Sequence, residues 1–343
     1  MTTLLSTLFL SLPLFPAAPC DPIEIGDPVE LGDRPEYEFK RPVLGGAGVR
    51  SLADLRGRPV LVEFWGSTTY GVDDAMRNVL VLQEEFGPDL AVLFVEGRRL
   101  DPDRVHALAL ERRWLGTPAM WTSEYVFKTG AARMPNFVLL SGEGEVLLKG
   151  ATGQMEIHYG QRLMEELEDR VRAEIELRRS GPPDAPSAVR ELYRDFHRGR
   201  IGRALSRARD LAAEAPGSDE GRAAAEAAAV FEERLERRLA RAEWLLGDGR
   251  IGRAEEELAG LERELAPGSP PEVHYRRLAD SLAADELDGE RRADKALAAL
   301  EKKLYARGTG PGTAKSLQRL ARKYAGTRSA ARAERLAGLL EGS

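Results

Sequence analysis

One cysteine, four histidines and a scatter of hydroxyl and carboxyl groups are what this 343-residue chain offers to chemistry. The cysteine is Cys20, so no intramolecular disulfide can form, and Cys₄ or Cys₂His₂ zinc sites are excluded with it. His106, His158, His197 and His274 are dispersed, without His-x₃-His or His-Glu-x-x-His spacing, so no metal centre is expected. Neither a Gly-x-x-x-x-Gly-Lys-Ser/Thr phosphate loop nor a Gly-x-Ser-x-Gly elbow occurs, and Gly142-Glu143-Gly144 reads as a hairpin turn rather than a dinucleotide fingerprint. No cofactor is expected. The acid pairs Asp73-Asp74 and Glu84-Glu85 fall on helix surfaces, where solvation accounts for them. What remains is the stretch from Val60 to Val72. An apolar run carrying one carboxylate, Glu63, ends in Phe64-Trp65, passes a small-residue turn and enters a helix at about Asp73.

The elements that must position this stretch follow from pattern. Ser51–Pro59 reads as a short helical turn closed by Gly57 and Pro59, feeding a strand over Val60–Trp65. Met76, Val79, Leu80, Leu82 and Phe86 have helical spacing, with Gly87-Pro88 as the stop. Leu90–Val95 is an unbroken apolar run of the length of a strand covered on both faces. Asp101-Pro102-Asp103 opens a helix by capping, running to about Trp114. Thr117-Pro118 reads as an ordinary turn. Met134–Leu140 and Glu145–Lys149 form a hairpin around the glycine-containing turn, and an amphipathic helix spans about Glu156 to Arg179. The order β-α-β-α-β-β-α predicts an α/β sandwich with a mixed sheet and helices on both faces.

Leu52–Trp65 resembles the lead-in segment of the redoxin, or TlpA-like, branch of the thioredoxin superfamily, and Arg133–Leu140 resembles that family's cis-proline strand. The likeness covers about residues 34–172. The family consists of exported thiol–disulfide oxidoreductases whose Cys-x-x-Cys pair sits at the start of the helix. By this resemblance the two cysteine positions fall on Thr69 and Val72. Thiol exchange needs a thiolate; Thr69 has no comparable acidity and Val72 has no heteroatom, so no redox turnover is expected there. Thr69 then has a role in capping the helix or hydrogen-bonding within the turn. Glu63 matches the family's buried proton-relaying acid; with no thiol to serve, the preferred reading is a leftover polar group satisfied by water or a nearby lysine. Trp65 and Tyr70 flank the corner as candidate binding residues. Met134 and Pro135 match the cis-proline pair, whose backbone in the family receives an extended peptide, a mode that needs no thiol. The other reading of Pro135 is a loop-shaping proline and nothing more.

Beyond Ser180–Pro186, a Pro/Gly-rich linker, the chain is Ala, Leu, Glu and Arg with few β-branched residues and reads as all-helical. Gly199-Arg200-Ile201-Gly202-Arg203-Ala204 recurs letter for letter as Gly249–Ala254, each copy running into Ala-Pro-Gly-Ser, and a looser third unit ends at Tyr324–Thr327. These predict stacked helical hairpins similar to a tetratricopeptide array, although the period of about fifty exceeds that family's. The apolar leader before Ala17-Ala18 reads as a secretory signal peptide over residues 1–20, with Cys20 a candidate lipidation site. The organisation expected is thus a leader, a thioredoxin-like domain over 21–179, a linker over 180–186 and a helical array over 187–343. A net charge of −6 argues against nucleic acid, and membrane association is expected only through a lipidated Cys20. Function is expected to be protein binding by a redox-inactive, exported module. An oxidoreductase by family likeness and a structural spacer are the competing readings.

Overall fold

The computed structural model describes residues 27–69, 71–151, 157–308 and 312–341. The leader, Cys20 and Tyr70 lie outside them. Five strands form one sheet among the described residues: β1 (Val60–Trp65), β2 (Ala91–Glu96), β3 (Met120–Thr122), β4 (Asn136–Leu140) and β5 (Val146–Ala151), in the order β3-β2-β1-β4-β5. β1, β2 and β3 are mutually parallel, while β4 runs antiparallel to both β1 and β5. Every residue of β1, β2 and β4 is buried, which is why these strands read as apolar runs without alternation. β3 has no counterpart in the expected order. Three residues behind Pro118 carry too little pattern to register, yet they pair with β2 on one side, and Trp121 exchanges two 2.9 Å backbone hydrogen bonds with Leu44 on the other. The N-terminal arm thereby covers an edge that would otherwise expose unpaired amides.

Leu61 and Trp65 of β1 share one face with Phe94, Trp121 and Phe137. There they meet α1 (Val72–Phe86) through Met76 and Val79, α2 (Pro102–Glu111) through Val105 and Ala109, and α3 (Ile157–Ser180) through Leu167 and Val171. Val60, Val62 and Phe64 point the other way. They are closed in by the arm residues Val43, Val49 and Leu52, by Leu55 in the helical turn Ala53–Leu55, and by Phe127. Asp101 caps α2 as its position foretells, its carboxylate accepting from the Asp103 amide at 2.8 Å.

The C-terminal half is helical: α4 (Ser187–His197), α5 (Ile201–Glu214), α6 (Asp219–Gly247), α7 (Ile251–Leu258), α8 (Pro270–Ala283), α9 (Asp288–Arg307), α10 (Thr313–Lys323) and α11 (Arg328–Glu341). The two copies of the repeated hexapeptide build the same turn. Arg200 donates its amide to the Asp195 carbonyl at 3.0 Å and Arg250 to the Leu245 carbonyl at 2.9 Å, with Gly199 and Gly249 at φ of 82° and 71°. Ser218 of the Ala-Pro-Gly-Ser run caps α6 by accepting from the Gly221 amide. The second copy then diverges. Gly260 adopts φ of 78°, so α7 stops at Leu258, and Arg238 satisfies the freed Glu257 and Ala259 carbonyls. Phe231 of α6 anchors the first hairpin, stacked on Phe196 at 4.4 Å and edge-on to Tyr193 at 5.0 Å.

The halves touch at several places. Gly181 lies buried against the Tyr193 ring, Ala47 of the arm enters the core of the helical array, and Arg335 of α11 pairs with Asp103 of α2 at 2.7 Å. Asp89 receives Arg178 and Arg179. Beside this pair, burial and the charges of Arg241 and Arg178 press the Arg58 guanidinium down to about 10, still charged at neutral pH.

Candidate functional site: the strand–helix corner

β1 delivers the chain to the corner at Trp65. The Gly97 amide donates to the Trp65 carbonyl at 2.8 Å, joining the ends of β1 and β2, and the Thr69 amide closes the turn onto the Gly66 carbonyl at 2.9 Å. Both glycines lie under neighbouring side chains. A Cβ on Gly66 would stand 2.8 Å from Thr69 Oγ1 and 3.1 Å from Arg98 Nε; one on Gly97 would stand 2.1 Å from Met134 Cε. The corner therefore brings Thr69, Arg98 and Met134 together over the ends of the two strands. The Met134–Pro135 peptide is cis. The Asn136 amide group donates to the Arg133 carbonyl at 2.9 Å and holds the turn before it. The Met134 amide and carbonyl have no hydrogen-bond partner among the described residues.

Three expectations are corrected here. Thr69 does not cap α1: the cap residue is Gly71, at φ of 77°, and no side chain bonds the first amides. The helix begins at Val72, so Thr69 stands outside its first turn. Trp65, a candidate binding residue that also reads as a core aromatic, is 1% exposed and so belongs to the core. Its ring meets Trp114 edge-on at 5.4 Å and Trp121 at 6.1 Å, beneath a stack in which Trp121 lies 4.2 Å from Phe94 and 4.9 Å from Trp114. Such a stack spends the ring on packing. Pro135 is likewise buried, leaving the half-buried Met134 as the accessible member of the pair. Val72 is buried at 5% among the core residues of the helix face.

Glu63 is fully buried and faces Phe94 and Phe137 across its neighbours. Sequence reasoning missed a second buried acid. Glu96 closes β2, is opposite Trp65 in register, and accepts the amides of Arg98 and Leu100 at 3.0 and 2.9 Å. The signal was available, a carboxylate terminating an apolar run just before a glycine, and its work is to shape the loop that carries Arg98. A second missed contact spans the helices: Arg112 lies 5.1 Å from the centre of the Trp114 ring and pairs with Asp73 at 2.6 Å.

The chemistry open to this corner is narrow. Thr69 Oγ1 and Arg98 Nε both border Gly66, and a guanidinium cannot accept a proton from the hydroxyl. Asp73 and Asp74 occupy the first turn of α1, where they complement its dipole and would oppose any anion placed there. No cluster of three or more metal-ligating side chains occurs among the described residues.

A βαβ unit of parallel strands, a third parallel strand beyond it, an antiparallel hairpin on the far side and a cis-proline opposite the strand–helix corner decide the architecture. The N-terminal half is a thioredoxin-like fold. Solved structures similar to this half include a protein assigned as the thiol:disulfide interchange protein DsbE of Chlorobium tepidum, at 22% identity and a TM-score of 0.31 over 43% of this chain and 99% of that one. Another is assigned as a protein disulfide isomerase of Bacteroides thetaiotaomicron, at 17% and 0.34 over 45% and 95%. A third is the thioredoxin domain of a thiol-disulfide oxidoreductase of Bacteroides vulgatus, at 19% and 0.31 over 42% and 99%. No protein-family profile and no curated protein matches the chain.

Proposed function

We propose that this is an exported, redox-inactive thioredoxin-like protein that binds protein partners. An extended segment pairs with the Met134 backbone, and the helical array adds a second protein-binding surface. The observation that carries this reading is the cis Met134–Pro135 peptide, with no hydrogen-bond partner on the Met134 backbone among the described residues, in a chain whose one cysteine is Cys20; by the family resemblance Thr69 and Val72 stand where exchange would need two thiols. The fold speaks for peptide pairing, and the side chains speak against electron transfer. The apolar leader ahead of Ala17-Ala18 supports the export part of this reading.

The test is an insulin-reduction assay on the purified chain with dithiothreitol, paired with a photo-crosslinker placed at Met134 in cells. The expected result is no insulin precipitation beyond the dithiothreitol blank, together with a discrete protein adduct. Catalysed reduction would restore the oxidoreductase reading, and inactivity without any adduct would favour a spacer. Export makes its own prediction: intact-mass analysis of the native protein should show loss of about the first 20 residues. A retained Met1 would overturn it, whereas a diacylglyceryl mass on Cys20 would add a membrane anchor.

A further inference from the structure

The α4–α5 hairpin carries a half-open surface cavity of about 230 Å³ lined wholly by charged residues: Glu191, Arg194, Asp195, Arg198, Arg203 and Arg207. Four guanidinium groups thus face two carboxylates, and only one of the acids is deeply buried. Asp195 is 6% exposed and Arg200, Arg203 and Arg207 gather around it at 3.2, 3.4 and 3.5 Å. These separations exceed the 2.7–2.9 Å typical of a well-made charge-assisted bond. Each guanidinium carries five N–H donors, so one carboxylate orients these arginines without saturating them. Glu191 reaches Arg207 at 3.5 Å and is largely in solvent. Arg194 and Arg198 have no carboxylate partner among the described residues.

The second copy of the repeat shows that the hairpin does not need this charge. Fifty residues on, the backbone turn is the same, but Arg194, Asp195, Arg198 and Arg207 are replaced by Trp244, Leu245, Asp248 and Glu257. There the charges are closely matched: Arg250 meets Asp248 at 2.7 Å and Arg241 meets Glu257 at 3.1 Å. The same turn with different side chains at these four positions separates what builds the hairpin from what lines the cavity.

We infer that the α4–α5 cavity binds a tetrahedral oxyanion, a phosphate or sulfate group, held by Arg194, Arg198, Arg203 and Arg207, with Asp195 as the positioning residue of Arg203 and Arg207. Guanidinium forks match such an anion bidentately, whereas a monovalent halide offers no directional acceptors. The group arrives either as the free ion or on a small phosphate ester, and both present the same three oxygens to the arginines.

Isothermal titration of the full chain with potassium phosphate, against potassium chloride at equal ionic strength, tests this. Saturable binding of phosphate and none of chloride is expected. Arg194→Gln combined with Arg198→Gln should weaken phosphate binding by about tenfold or more, since charge-assisted bonds from two guanidinium forks are removed. Neither residue pairs with Asp195, so the circular dichroism spectrum and thermal midpoint of this variant should stay at wild-type values in chloride. Arg250→Gln, in the second copy, should leave phosphate binding unchanged. A parallel titration with glycerol 3-phosphate assigns the source: tighter binding than phosphate indicates an ester, weaker binding the free ion. Absence of saturation, or full retention in the double variant, would overturn the site.

Discussion

Gly202→Ala should cost about 3 kcal/mol of stability or more, while Gly252→Ala, at the same position of an identical hexapeptide, should be neutral or stabilise by up to about 1 kcal/mol. Both glycines occupy the second position of a helix, α5 or α7, and both amides receive a carboxylate from a later unit: Glu264 for Gly202 and Asp294 for Gly252, each at 3.1 Å. What differs is the space around the missing Cβ. At Gly202 it would lie 2.0 Å from the Glu264 carbonyl oxygen and 2.8 Å from its carbon, which are backbone atoms that no rotamer change can move. Relief requires the 259–265 segment to withdraw, which pulls Glu264 off the α5 terminus and lifts Leu261 and Leu265 from the core. At Gly252 the nearest atom is Asp294 Oδ2 at 3.7 Å, an ordinary contact, so the entropic advantage of alanine in a helix is left standing. Urea midpoints of the two variants, measured with unchanged m-values, decide the matter. Equal effects at the two positions would mean that the units pack alike and that the close approach at Gly202 is wrong.

That pair also marks where the sequence is readable and where it is not. A repeated hexapeptide announces a repeated local structure, and the two turns do superimpose in their hydrogen bonding. The sequence does not announce which unit's backbone will press on which glycine, because that depends on Gly260 ending α7 early and sending residues 259–265 back toward α5. The sheet is similar in this respect. β1 and β2 are legible because burial on both faces demands unbroken apolar runs, and Asp101 is legible because capping is local. β3 is set by what it pairs with, Leu44 on one side and Leu93–Val95 on the other, and three residues cannot encode that. At the corner, the missing thiols and the cis-proline are legible from residue identity and spacing. The start of α1 is legible to within a residue, about Asp73 against Val72, but its cap residue is not, because Gly71 in the left-handed region takes the place expected of Thr69. Nor is the burial of Trp65, which follows from the convergence of Trp114 and Trp121 from elsewhere in the chain.

Acidification from pH 7.5 to 4 should remove up to about 3 kcal/mol of stability through His106 alone, in addition to whatever the carboxylates contribute. The imidazole lies on α2 at the junction with α11 and is 9% exposed, its Nδ1 without a hydrogen-bond partner among the described residues. Burial first, and the Arg335 guanidinium second, press its pKa from 6.5 down to about 4, against the weaker pull of Asp103. Asp103 is itself engaged by Arg335 at 2.7 Å and so offers little to an imidazolium. The sign follows from proton uptake. Between pH 6.5 and 4 the unfolded chain holds a proton on His106 that the folded chain refuses, so acid favours unfolding; the contribution is fully present above 6.5 and exhausted below 4. A gap of about 2.5 in pKa at 1.36 kcal/mol for each unit sets the upper limit near 3 kcal/mol. His106→Gln removes the titration while keeping polarity, so the wild-type stability relative to this variant should fall steadily over that interval and be flat on either side. Arg335→Gln provides an independent arm. Without the cation Asp103 is released, the His106 pKa moves back toward 6.5, and the acid loss should shrink although the imidazole is still present. Parallel stability curves for wild type and His106→Gln would place the imidazole in water and not at the seam between α2 and α11. A steepened loss in Arg335→Gln would mean that the guanidinium shields the imidazole and does not repel its proton.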